Sequence, residues 1–175
     1  MPFLADTFRV VIASPSDMQE ERGVATQVIA AWNAQHAAAE QVVLLPVAWE
    51  THASPDAGAR PQAVINEQLI DGADVLIGMF WTRLGSTTGV ATSGTVEEID
   101  QVVAAGKPAM LYFSARPVDP NAIDVEQLSR LREFTEATRS TALTGSFRSI
   151  EELREVLMRD LTQKVRATRG RRARG

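Results

Sequence analysis

Asp74-Val75-Leu76-Ile77-Gly78-Met79-Phe80 is apolar at every position after its aspartate. An amphipathic helix or a half-solvated strand would interleave polar residues at a period of about 3.6 or 2. A short, unbroken apolar run is what a central strand of a parallel sheet needs, because helices cover both of its faces. Strand-like and helix-like segments alternate on either side of this run. Residues 8–13 form an apolar, β-branched strand that stops at Ser14-Pro15-Ser16-Asp17. A helix follows over 18–36, with Val24, Val28, Ile29 and Trp32 at helical spacing. Residues 42–47 read as a second strand, and a polar loop over 49–60 leads to a helix opened by Pro61, a residue suited to a first helical turn.

Beyond the strand at 74–80, a loop rich in Gly, Thr and Ser runs over 82–94. The pattern then predicts a helix over 95–105, a strand over 109–113, a helix over 125–139, a weak fifth strand over 142–147 and a last helix to about Val165. Ser16 with Gln19, Thr95 with Glu98 and Ser149 with Glu152 each spell a capping box. Five alternations without repeats predict an α/β domain over 1–165: a three-layer, flavodoxin-like fold around a five-stranded parallel sheet, followed by a basic tail or linker over 166–175.

The 175 residues suffice for a sizeable core, and 45% hydrophobic with 23% charged residues is a globular composition. The absence of cysteine excludes disulfides, thiolate metal sites and cysteine nucleophiles. Two distant histidines, His36 and His52, offer no metal-ligand spacing. The net charge of -4 hides an uneven distribution, because Lys164, Arg166, Arg169, Arg171, Arg172 and Arg174 follow Asp160 with no further acid. Without those six, 12 basic residues face 22 acids, a net of -10. That argues against specific nucleic-acid binding by the fold itself. The tail suits contact with RNA or another anionic surface, although a solvated end or a linker is its more ordinary reading. No leader-like segment opens the chain, and the apolar run ending at Trp81 is too short to cross a bilayer. The expectation is a cytoplasmic protein with no membrane partner.

In doubly wound sheets, ligands bind beyond the carboxyl ends of the strands where strand order reverses, here between the first and third strands. The two loops that follow those strands are also the most unusual in composition. Ser14-Pro15-Ser16-Asp17 puts hydroxyls beside a helix start, which favours a phosphate, and helix capping by Ser16 explains the same residues. The second loop brings Trp81, a stacking face, then Arg83 and glycines that admit a ligand close to the backbone, and it ends in Ser93-Gly94-Thr95-Val96-Glu97-Glu98. Locally, Glu98 is better explained by helix capping than by catalysis. Phosphate-loop, dinucleotide-fingerprint and nucleophile-elbow motifs are all missing.

Taken in order, Ile12-Ala13-Ser14-Pro15-Ser16-Asp17-Met18-Gln19-Glu20-Glu21-Arg22, the strand at 73–80 and Glu98-Ile99 resemble the Toll/interleukin-1 receptor (TIR)-like superfamily, in particular its bacterial branch. Gly94-Thr95-Val96-Glu97-Glu98 is similar to a pattern of the related nucleoside 2-deoxyribosyltransferases. The Trp-Cys-x-x-Glu form common in TIR enzymes is absent. Both groups break an N-glycosidic bond with a glutamate. The resemblance therefore implies an NAD+ glycohydrolase with Glu98 as catalytic carboxylate, of the kind found among anti-phage effectors. Ser14, Ser16, Asp17, Arg83, Gly94 and Thr95 would bind substrate, with Trp81 or Trp49 stacking on the ring. NAD+ would be the substrate, with no separate cofactor and no metal. Homo-oligomerisation on activation and a fused or partner sensor domain are also implied. The alternatives are a nucleoside or nucleotide N-glycosidase resembling the deoxyribosyltransferases, and a non-enzymatic self-association or docking module.

Overall fold

A computed structural model describes residues 1–47, 72–86 and 93–172. Five parallel strands, β1 (Asp6–Ala13), β2 (Val42–Val47), β3 (Val75–Phe80), β4 (Ala109–Ser114) and β5 (Leu143–Phe147), form one sheet in the order β2-β1-β3-β4-β5. Every residue of β3 is buried, as its unbroken apolar run requires. The register sets Ile12 beside Ile77 and Met79 beside Tyr112, so the carboxyl ends of β1, β3 and β4 open at one edge. This is the expected flavodoxin-like, three-layer α/β arrangement.

Alternation along the strands builds two cores. Val10, Ile12, Ile77, Met79 and Tyr112 face α1 (Gln19–Glu40) and α4 (Ile150–Arg172), meeting Val28, Trp32, Leu153 and Leu157. Val11, Ala13, Leu76, Phe80 and Leu111 face α2 (Gly94–Ala104) and α3 (Val125–Thr138), meeting Val96, Ile99, Val102 and Leu131. Gly78 lets α2 sit low on the sheet, since a Cβ there would lie 2.6 Å from Leu111 Cδ2 and 3.3 Å from Ile99 Cδ1. Across the other core, the Tyr112 hydroxyl donates to Asp160 Oδ2 at 2.8 Å, and Arg159 Nε donates to Asp160 Oδ1 at 2.8 Å, fastening α4 to β4.

The last helix outruns its expected end near Val165 and continues to Arg172. The expected tail is thus helical at its start, because Glu40 at the end of α1 gives it an anchor. Arg166 Nε donates to Glu40 Oε1 at 2.8 Å, and Arg169 lies 3.6 Å from Glu40 Oε2. Among the described residues, no helix is long and apolar enough to cross a membrane. The helix expected after Pro61, Trp49 and the middle of the loop after β3 lie outside the described residues.

Candidate functional site

β1 ends at Ala13, and the chain turns over Pro15, whose carbonyl accepts from Met18 N at 3.2 Å. A 3-10 turn over Ser16–Met18 precedes α1, and neither it nor α1 has a side-chain cap. The capping box expected from Ser16 and Gln19 does not form, because the 3-10 turn intervenes and makes Gln19 the first residue of the helix rather than its third. Ser16 is exposed. Asp17 instead reaches across to the loop after β3, where its Oδ2 accepts from Thr82 N at 3.2 Å and from Thr82 Oγ1 at 3.0 Å. That crossing is possible because β1 and β3 are neighbours while their connections run in opposite directions. Asp17 Oδ1 and Ser14 Oγ are closed to solvent and have no hydrogen-bond partner.

One helical turn past Asp17, Glu21 is 1% exposed and forms an ion pair with Arg116. Its Oε1 lacks hydrogen-bond alignment with any donor, so charge proximity carries that contact. Arg116 follows β4 and spans the mouth. Its guanidinium lies 4.7 Å from the centre of the Trp81 ring, it also lies 3.7 Å from Glu20 Oε2, and its carbonyl accepts from Trp81 Nε1 at 3.2 Å. A planar cation thus covers one face of the aromatic ring expected to stack on a ligand. Trp81 packs with the α1 and α4 core.

The loop after β3 is held by α3. Leu84 N and Gly85 N both donate to Gln127 Oε1 at 3.1 Å, and Gln127 Nε2 donates back to Gly85 O at 3.3 Å. Gly85 adopts φ +110°, a conformation that favours glycine, and a Cβ there would lie 3.1 Å from Ser93 Cβ. Buried Ser93 caps α2, its Oγ accepting from Val96 N at 3.1 Å. The capping box expected from Thr95 and Glu98 is therefore displaced: Ser93 takes the cap, and Thr95 is a buried first-turn residue beside half-buried Gly94. Glu98 lies beyond the cap, one turn from Thr95 and Val102, and is half-buried. Glu97 is the more enclosed of the two, at 6% exposure. Both glutamates have interactions with neighbouring groups.

Ser14 and Asp17 follow the carboxyl end of β1, and Trp81 and then Gly94, Thr95 and Glu98 at the start of α2 follow that of the neighbouring strand β3. Ser16 and Arg83 stand exposed at the margin. Trp81 and Glu98 approach this edge from opposite faces of the sheet, since α2 packs with the other core. Thr82, Arg116 and Gln127 were not foreseen. A hydroxyl directly after Trp81, and an arginine just past the fourth strand, are the only sequence signals that pointed to the first two.

A family model described as "Domain of unknown function (DUF4062)" matches residues 9–162. The chain belongs to the DUF4062 family. No curated protein matches this DUF4062 domain. Among solved structures it is similar to translation elongation factor SelB from Methanococcus maripaludis, in complex with the GTP analogue GppNHp. The identity is 11% and the TM-score 0.48, over 93% of this chain and 35% of that one. It thus spans about a third of SelB's length. Oxidised flavodoxin 1 from Bacillus cereus is 15% identical at a TM-score of 0.44, covering 92% of this chain and 98% of its own. The Streptococcus pneumoniae TIGR4 flavodoxin is 14% identical at 0.42, covering 93% and 99%. These are distant likenesses of fold alone; the strand order of the DUF4062 domain itself makes it flavodoxin-like.

Proposed function

We propose that this DUF4062 domain is an NAD+ glycohydrolase that breaks the bond between nicotinamide and ribose, with Glu98 as the carboxylate beside the anomeric carbon. One observation carries the reading most: Glu98 is half-buried in the first turns of α2, the helix that follows β3, and Ser14 Oγ and Asp17 Oδ1 are enclosed without partners in the turn that follows the neighbouring strand β1. An acid for a cationic transition state and unmet polar groups for a sugar meet at the strand-order reversal.

The chemistry asks little of the protein. Nicotinamide leaves NAD+ as a neutral molecule, taking the electron pair of the C–N bond, so no acid need protonate it. Glu98 stabilises the positive charge that grows on the ribose, as carboxylates do in glycoside hydrolysis. Water then adds at the anomeric carbon, and the products are nicotinamide, ADP-ribose and a proton. Arg83, exposed after β3, and the hydroxyl of Ser16 suit the pyrophosphate, while Gly94 and Thr95 line the approach to Glu98. Trp81 holds Arg116 and thereby the mouth, a positioning role beside the ring stacking expected of it. The TIR-like resemblance extends the proposal to a cytoplasmic effector that assembles into homo-oligomers when a fused or partner sensor activates it.

The test is incubation of the concentrated chain, free and fused to a clustering scaffold, with NAD+ and separately with nucleosides. Nicotinamide release supports the proposal. Nucleobase release with NAD+ untouched transfers the same site to a nucleoside substrate. Failure to consume either substrate in clustered form contradicts an enzymatic reading and favours a docking module.

A further inference from the structure

The two outer strands of the sheet treat their free backbone groups differently. On β2, Leu44 N donates to Asn33 Oδ1 and Leu44 O accepts from Asn33 Nδ2, both at 2.8 Å, so α1 closes that edge. Pro46 lies two residues on, points the same way and has no N–H to offer. On β5, Phe147 O accepts from Ala115 N on the β4 side at 2.8 Å. Strand alternation therefore turns the backbone groups of Leu143, Gly145 and Phe147 to β4, and those of Thr144 and Ser146 outward. Among the described residues, neither of these two has a partner there. Leu143-Thr144-Gly145-Ser146-Phe147 also carries no charge and no proline, the usual guards of a sheet edge.

The same two residues line a cavity. Phe147 belongs to the core under α1 and α4, so Thr144 and Ser146 face the α3 side. There a cavity of about 290 Å³ is lined by Phe113, Thr135, Arg139, Thr144, Gly145 and Ser146. Arg139 lies 3.3 Å from Glu136, but both side chains are mostly exposed, and such a contact holds an arginine weakly. On the opposite face of the strand, Leu143 is 45% exposed.

Charge narrows the occupant. Between Glu136 and Glu151 the chain has no acid and two arginines, Arg139 and Arg148, in a protein of net charge -4. Antiparallel pairing of β5 with a second copy would set the Arg139 end of one strand against the Arg148 end of the other, and like charges oppose that. An acidic strand meets no such cost.

We infer that the outer edge of β5 is a docking site for an extended segment of another protein that carries an acidic residue between two apolar ones. Its backbone pairs with Thr144 and Ser146. Its acidic side chain enters the cavity toward Arg139, and alternation places the flanking apolar side chains beside Leu143. The edge lies two strands from β3 and owes nothing to Glu98.

The test titrates the isotope-labelled full chain with the peptide Ser-Val-Glu-Val-Ser, and with the same peptide carrying Lys in place of Glu, followed by amide NMR. The amides of Thr144 and Ser146 should move most, and the Glu peptide should bind at least about fivefold more tightly, the upper range for one exposed charge pair. Arg139→Glu, a change at an exposed position, should reverse that preference with the fold intact. Ser146→Pro removes an outward N–H without touching the bonds to β4 and should abolish binding; if it fails to fold, the reversal at Arg139 still decides. Failure of either peptide to bind, equal affinity for both, or a preference that survives Arg139→Glu would overturn the inference. Shifts of the same amides that grow with protein concentration in the absence of peptide would assign the edge to a second copy and overturn it too.

Discussion

Two strand-to-helix junctions of this domain carry serines that look alike in sequence and behave differently in the fold. After β5, Ser149 Oγ accepts from Glu152 N at 3.1 Å, while Glu152 Oε2 accepts from Arg148 N at 2.6 Å. Ser149 caps the helix, and Glu152 reaches back past the cap to Arg148 N, a variant of the capping box that takes up both side chains within the junction. After β1, Ser14 and Ser16 cap nothing, and two oxygens remain unmet inside the protein. The first junction spends its polar groups on its own helix. The second sits beside the strand-order reversal, and its Asp17 is turned to the loop after β3 rather than to its own helix.

The contrast predicts that damage at the junction after β1 and at the junction after β5 separates into lost ligand chemistry and lost stability. Arg116 is the exception that ties the mouth to the core, so Arg116→Met has the largest effect. It strands buried Glu21 and should cost about 3 kcal/mol in urea unfolding, with Glu21→Gln in the same chain recovering part of the loss. If Arg116→Met were neutral, the mouth would not be built on that ion pair.

On the opposite, structural side, burial and the bond to Asp160 push the phenol of Tyr112 well above its ordinary range. Tyr112 is the one tyrosine of the chain, so phenolate absorbance reads it alone. Its contribution to stability is complete below the unfolded value near 10 and is lost as pH rises above it, because the unfolded chain gives up its proton first. The folded protein should show no phenolate until alkaline unfolding begins. A smooth titration near pH 10 in folded protein would mean that Asp160 does not hold it.

Ser149→Ala should cost about 1 kcal/mol and leave any nucleoside binding unchanged. Ser14→Ala should change stability by less than about 0.5 kcal/mol, since no internal bond is lost. Comparable losses from the two substitutions would erase the contrast between the junctions.

The parallel sheet and the buried, central place of β3 were legible because β3 has no polar face and because helical and strand-like segments alternate on both sides of it. The weak fifth strand followed from the same pattern. Helix starts were less legible. Ser93, Thr95 and Ser16 are all acceptable caps by residue type, and only the packing of Ser93 against Gly85 chooses between the two at α2. Arg116 was hidden because its partners come from α1 and β3, brought beside it by sheet order rather than by any spacing in the chain. The end of α4 was misread for a similar reason, since Glu40 anchors Arg166 from another helix.

The most direct measurement is nicotinamide release from NAD+ by the clustered chain, comparing wild type, Glu98→Gln and Glu97→Gln at matched folded stability. Glu98→Gln should lower the rate by at least about a hundredfold, as loss of a charge-stabilising group does, while Glu97→Gln retains most of it. A wild-type rate in Glu98→Gln, or a loss confined to Glu97→Gln, would contradict the assignment of Glu98.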